Sequence, residues 1–319
     1  MKLKLQRLGG WIVFIALATT AIAAAENPTS SVEKARQAVS VLQSAAPAAD
    51  KAMACKRLAI YGTADAVPAL ASLLSDKELA SWSRIALEAI PGSAADKALR
   101  DALPKLQGML RVGAINSIGV RRDPKAVGAL VSELKAADPE VAAAAAVALG
   151  LIGGDEATKA LTKALANAPT GTRSVVAQGC ILSAERFLAE GKYDKAAKLY
   201  ETVRKADVPK QRILEATRGA ILARQADGIP LLLETLHSPD KAVFSIGLRT
   251  ARELPGRSVT EALAAEIGKT QPDRAGPLFL ALADRNDPAV LPVVLATGKN
   301  GSKPLRLLAI EVMVRDGNP

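Results

Sequence analysis

Apolar residues recur along this chain at the spacing of one buried helix face, and that face returns at a fixed interval. Val127, Leu130, Val131 and Leu134 stand at i, i+3, i+4 and i+7, and Ile229, Leu232, Leu233 and Leu236 repeat the pattern. Leu70, Leu130, Leu161, Leu232 and Leu263 are separated by 60, 31, 71 and 31 residues, and Leu74, Leu134, Leu165, Leu236 and Ile267 take the same steps. The period is therefore about 31 residues, with the longest step holding two periods and nine extra residues.

Each unit resolves into two helices. The second opens after a short turn with a capping side chain and a proline, as in Asp138-Pro139 and Ser238-Pro239. It is then apolar over most of its length, and the alanines from Ala142 to Ala146 let neighbouring backbones approach. Gly62, Gly92, Gly153 and Gly256 are expected to close units in the left-handed conformation. Units are predicted at 31–63, 64–93, 94–123, 124–154, 155–191, 192–225, 226–256, 257–287 and 288–319, which makes nine helical hairpins.

The pattern Ala-Val-x-x-Leu-x-x-x-Leu, then Asp-x-x-Val and Ala-Leu-Gly-x-Ile-Gly, resembles the HEAT family, in particular the bacterial phycobilisome-lyase HEAT-like repeats. Its fullest copy is Pro124 to Gly154, with Asp138-Pro139-Glu140-Val141 and Ala148-Leu149-Gly150-Leu151-Ile152-Gly153. The resemblance implies an all-α, right-handed solenoid over 26–319, and arrays of this family mostly scaffold other proteins. One departure concerns the Arg that often follows the Val-type position of the second helix. Arg306 matches it, while Ala142 replaces it in the fullest copy, so the family's basic ladder is expected to be incomplete.

Between Gly179 and Arg224 the register slips, and longer, irregular hairpins are expected over about 155–225. Gly191 to Tyr200 resembles the turn and second helix of a tetratricopeptide (TPR) unit, which predicts a hairpin from Val175–Ala189 and Asp194–Lys205 that changes the curvature. Lys192 to Arg224 also carries nine basic residues against Asp194, Glu201, Asp207 and Glu215, a charge of +5. Lys210, Arg212 and Arg218 are therefore candidates for binding an acidic partner. Arg121 and Arg122 in an inter-repeat turn, with Arg111 on the preceding helix, form a second candidate set. Trp82 beside Arg84 is a candidate interface anchor in a chain with only 3% aromatic residues.

Composition bears on compartment and partner. The chain of 319 residues has 42 Lys and Arg against 32 Asp and Glu, for a charge of +10, yet none of the acids lies in the first 25 positions. Lys2, Lys4 and Arg7 precede an apolar stretch from Trp11 to Ala18 and then Ala21-Ile22-Ala23-Ala24-Ala25, the order of a secretory signal peptide at 1–25, cut after Ala23 or Ala25. The mature chain would carry +7 and work in a periplasm or outside the cell, with no membrane association after cleavage. Its modest charge and scarce aromatic residues argue against nucleic acid.

Candidate chemistry is sparse. His237, the sole histidine, ends a first helix where it can bond to terminal carbonyls. The repeated His-Glu pairs of the deoxyhypusine hydroxylases, which belong to an enzymatic lineage of HEAT proteins, do not occur. Gly268-Lys269-Thr270 lacks the first glycine of a phosphate loop, since Leu263 stands there. Ser245 before Gly247 lacks the other glycine of a nucleophile elbow, Val243 standing there. Cys55 and Cys180 fall on second helices four hairpins apart, about 40 Å by helix packing distances, and are expected as buried, unpaired thiols. Asp155-Glu156 opens a helix and complements its dipole.

The sequence therefore predicts a non-catalytic exported scaffold without cofactor or metal, which binds a protein or peptide on its surface. Because the chain ends at a unit boundary, this solenoid is expected to be the repeat region of a larger protein or to have that end covered by a partner. The resemblance also admits a phycobilin-lyase-like enzyme or chromophore-handling protein, and, less in keeping with the charge and leader, a DNA-binding solenoid.

Overall fold

The computed structural model describes residues 28–317, so the leader expected at 1–25 lies outside the described residues. Among the described residues eighteen α-helices follow one another as nine hairpins: α1 (Pro28–Gln43) with α2 (Ala48–Tyr61), α3 (Val67–Ala71) with α4 (Ala80–Ala89), α5 (Ser93–Ala102) with α6 (Gly108–Arg121), and α7 (Val127–Glu133) with α8 (Pro139–Ile152). The array continues with α9 (Gly154–Asn167) and α10 (Thr170–Ala189), α11 (Tyr193–Arg204) and α12 (Lys210–Arg224), α13 (Ile229–His237) and α14 (Lys241–Glu253), α15 (Arg257–Ile267) and α16 (Pro272–Ala283), and α17 (Val290–Asn300) and α18 (Lys303–Arg315). No strand occurs among the described residues. The fold is an all-α solenoid, and the unit boundaries expected from the periodicity fall within a residue or two of the breaks between hairpins.

The leucine register is the reason for the stack. Leu70, Leu130, Leu161, Leu232 and Leu263 are all 0% exposed, so the same position of each first helix is sealed against its own second helix and the adjacent unit. Each such side chain contributes roughly 1.5–3 kcal/mol by leaving water. Second helices pack on one another without interruption from α2 to α18, whereas first helices touch their successors more sparsely.

Small residues set how close that row can come. A β-carbon at Gly150 would overlap the Gly179 backbone, one at Gly179 would overlap the Ala146 carbonyl, and one at Gly119 would press on Ala148. The alanine run of α8 therefore does what its composition implies, with Ala145 and Ala146 both fully buried between α6 and α10. Two apolar clusters result, one reaching from Ala35 to Ala223 and the other from Ile221 to Val312, and they meet on α12.

Four local expectations need correction. The long middle helix begins at Thr170 and not at Val175, and runs for 20 residues against the 14 of α8. The extra length of the middle thus lies largely within α10, which packs on α8, α9, α11 and α12 without breaking the order of hairpins. Gly92, Gly153 and Gly256 have positive φ, but Gly62 does not (φ −69°). Glycine is needed at 62 because a side chain there would run into the Leu58 carbonyl and Ile90. A left-handed helix end occurs instead at Arg122 (φ 53°). At α14 the cap is Asp240, which accepts from the amides of Ala242 and Val243, so Ser238-Pro239 lies outside the helix.

Candidate functional site

Most of the basic residues singled out by sequence are engaged within the protein. Arg84 on α4 reaches across to α6, donates to the Gly113 carbonyl at 3.0 Å, and lies where a side chain on Gly113 would be. Arg111 pairs with the buried Glu133 of α7 at 2.5 Å. Arg121 is the most committed. Its guanidinium meets Asp96 at 2.5 Å and donates to the carbonyls of Leu87, Glu88, Ile90 and Gly92, the C-terminal end of α4. A cation there offsets the negative end of the helix dipole and satisfies carbonyls that have no intrahelical partner. Arg122 is exposed and makes no ion pair among the described residues.

The Arg121 arrangement recurs five units later in the chain. Arg285, only 6% exposed, donates to the carbonyls of Ala251 and Gly256 and to Thr260 Oγ1. Its carbonyl partners lie 34 and 29 positions back, the same offsets at which Arg121 holds Leu87 and Gly92. Arg186 makes one such bond, to Leu151. A basic ladder therefore exists, but it sits at the ends of the second helices and not at the Val-type position of the family pattern. The sequence signal for it was Pro91-Gly92 and Pro255-Gly256, each followed 29 residues later by an arginine.

The basic middle is similarly tied down. Lys210 pairs with Asp240, Arg218 with Glu253 at 2.6 Å, and Arg212 with Glu215 at 2.7 Å and the Gln178 side chain at 3.0 Å. Glu201 is held by both Arg204 and Arg224, and Lys195 by Asp155. Burial pushes the Glu201 carboxyl up, but hydrogen bonds from Arg224 and Arg204 outweigh it and hold the group below its ordinary range. The pairs of Lys195, Lys210 and Arg218 cross to adjacent units and those of Glu201 and Arg212 close within the hairpin, so the charge that looked concentrated in sequence is spread through an ion-pair lattice.

The remaining candidates divide. Trp82 is 41% exposed, in keeping with a surface contact, and Met53, Ile60, Ile85 and Met109 of α2, α4 and α6 are exposed more than it is. His237 meets the Glu266 carboxylate at 2.6 Å and not the terminal carbonyls expected of it. Cys55 and Cys180 are free and buried, and burial pushes their thiols up to about 11 and about 12. Among the described residues no group of three or more His, Cys, Asp and Glu could hold a metal ion, and no helix is long and apolar enough to cross a membrane.

A feature that the sequence reading missed lies between the last two hairpins. An open cleft of about 960 Å³ is lined by Ala264, Ile267 and Gly268 on one side and by Val293, Ala296, Thr297 and Leu305 on the other, with Ala275 and Gly276 among the lining residues of α16. Its apolar character comes from small side chains and from Pro272, Pro292 and Pro304, which offer no amide. Pro277 inside α16 removes another amide, so this helix carries Gly276-Pro277 where other second helices carry larger or helix-favouring residues. That dipeptide was the available signal. Around the cleft Lys269, Lys299, Lys303 and Arg306 are exposed neighbours of lining residues, and none makes an ion pair among the described residues. The N-termini of α16 and α18 also open here, and neither has a side-chain cap.

Residues 97–180 match the family of HEAT repeats, and they span α5 to the middle of α10. No curated protein matches the chain. Among solved structures, an engineered protein is 18% identical with 88% of each chain covered and a TM-score of 0.36. The complex of CpcE and CpcF of phycocyanin lyase from Nostoc is 20% identical, with 83% of this chain and 94% of that one covered and a TM-score of 0.37. Human deoxyhypusine hydroxylase in complex with glycerol is 18% identical, with 78% and 95% covered and a TM-score of 0.36.

Proposed function

We propose that this HEAT-like solenoid is an interaction scaffold that holds a protein or peptide on its surface and performs no chemistry of its own. The observation that supports the reading best is the open apolar cleft between the eighth and ninth hairpins, with Leu291, Leu295, Leu307, Ile310 and Val314 exposed on the ninth. Repeat arrays offer long surfaces in which each unit contacts only its neighbours, and an apolar trough left open in such a surface is where a partner's side chains gain by burial. The leader-like N-terminus supports a place of work outside the cytoplasm.

Photo-crosslinking in cells tests this, with benzoylphenylalanine placed in turn at Ala296 in the cleft, at Trp82, and at Lys210 in the middle. A discrete protein adduct from position 296 or 82 is expected. Turnover of a small substrate by the purified protein, or the absence of a specific adduct from every position, would overturn the scaffold reading.

A further inference from the structure

We infer that the cleft between α15–α16 and α17–α18 takes an acidic amphipathic helix from a partner protein, with its apolar side chains in the trough and its carboxylates on the rim. The inference rests on the scaffold reading and names what that scaffold binds.

Shape argues for a helix. A small-molecule site encloses most of its ligand, whereas this cleft is open along the hairpins and lined by residues of four helices. An extended peptide brings backbone amides and carbonyls that need partners, and much of the lining offers only alanine, glycine and proline. A helix satisfies its own backbone and presents apolar side chains at i, i+3, i+4 and i+7. Ala264, Ala275, Gly276 and Ala296 let such a helix come close, much as small residues do between α6, α8 and α10.

Charge argues for acidity. Lys269, Lys299, Lys303 and Arg306 stand next in sequence to lining residues and make no ion pairs, and of the two acids so placed Glu266 is buried and meets His237, which leaves only Asp273. The uncapped N-termini of α16 and α18 add the positive ends of two helix dipoles. Elsewhere in the protein, cations of the middle hairpins are mostly met by acids of their own or an adjacent unit. Here those acids are missing, and a partner that supplies them gains both association rate and register.

The test uses the purified protein and a fluorescein-labelled 18-residue peptide with Leu at i, i+3, i+4 and i+7 and Glu on the other face, read by anisotropy against the same peptide with Lys for Glu. The Glu peptide is expected to bind at least about tenfold more tightly than the Lys peptide. Ala296→Trp, at an exposed lining position, should fill the trough and abolish binding, and the triple variant K299E/K303E/R306E should weaken it by at least about tenfold. Thermal melts check that both variants fold, and K198E/K205E in the middle hairpin should bind as the parent does.

Equal binding of both peptides, or binding unaffected by Ala296→Trp, would overturn the inference. Displacement of the Glu peptide by micromolar laurate would assign the cleft to an anionic amphiphile instead, and self-association abolished by Ala296→Trp would assign it to a second copy of this chain. The photo-crosslinks separate the two levels. Adducts at position 82 with a peptide-blind cleft leave the scaffold and remove only this occupant, whereas failure at every position removes both.

Discussion

The middle hairpin α11–α12 and the cleft between α15–α16 and α17–α18 are both rich in Lys and Arg, but they differ in what those cations face. In the middle, the segment from Lys192 to Arg224 carries +5. Its partners Glu190, Asp155, Asp240 and Glu253, together with Arg173 on Asp207, bring the local charge to +2. Packing there is equally close, since a β-carbon on Gly219 would lie within the buried Tyr200 ring. Around the cleft the cations have no such partners, and Gly276 faces only the tip of Leu308, 3.3 Å from where its β-carbon would stand. The comparison teaches that a run of charge along the chain does not locate available charge. What matters is whether the next unit brings an acid to the same level.

The widest separation between the two regions should come from paired glycine substitutions. Gly219→Ala is expected to destabilise by about 3 kcal/mol through overpacking against Tyr200, while Gly276→Ala should stay within about 1 kcal/mol of the parent, the clash with a mobile Leu308 tip offset by better helix propensity. Urea unfolding measures both. If Gly276→Ala costs as much as Gly219→Ala, the cleft is not a loosely packed region.

A similar loss, about 3 kcal/mol, is expected for Arg285→Ala, because it strands buried acceptors on Ala251, Gly256 and Thr260. An Arg285→Ala protein as stable as the parent would remove the ladder of helix-end arginines from the account of the fold.

Charge reversal then separates committed from available cations. Arg218→Glu faces Glu253 and should cost about 1 kcal/mol, whereas Lys303→Glu should change stability by less than about 0.5 kcal/mol. Equal effects in a thermal melt would erase the distinction drawn between the regions.

The smallest effect concerns pH. Glu201 in the middle and Asp284, beside Arg252 and Arg315, both have burial pushing them up and hydrogen bonds outweighing it, so each is held low in the folded protein. A carboxylate whose folded pKa lies below its unfolded value adds stability that is fully present above the unfolded value, about 4.3 for Glu, and is lost as pH falls through the folded one. Glu201→Gln should therefore flatten the loss of stability below about pH 4, while a substitution at the unpaired Lys303 should leave that slope unchanged. An unaltered acid limb in the Glu201 variant would show that its two arginines do not stabilise the fold.

The sequence by itself determined the helical class, the period, nearly every hairpin boundary and the buried leucine column. Those are translational properties: burial of Leu130 against its own second helix and the next unit follows from spacing within about 31 residues, and each unit repeats the same local argument. It also marked Cys55 and Cys180 as buried and unpaired. It did not separate Arg121, whose guanidinium caps α4, from the exposed Arg122 beside it, and it put partner-binding weight on Lys210, Arg212 and Arg218, each of which the fold pairs internally. The cleft was missed altogether, although Gly276-Pro277 was in plain view. Only tertiary structure decides such matters, because the pairing of a cation across units depends on which residue some 22 to 40 positions away reaches the same level of the stack. A shift of one residue in a loop changes that partner without disturbing the hydrophobic period.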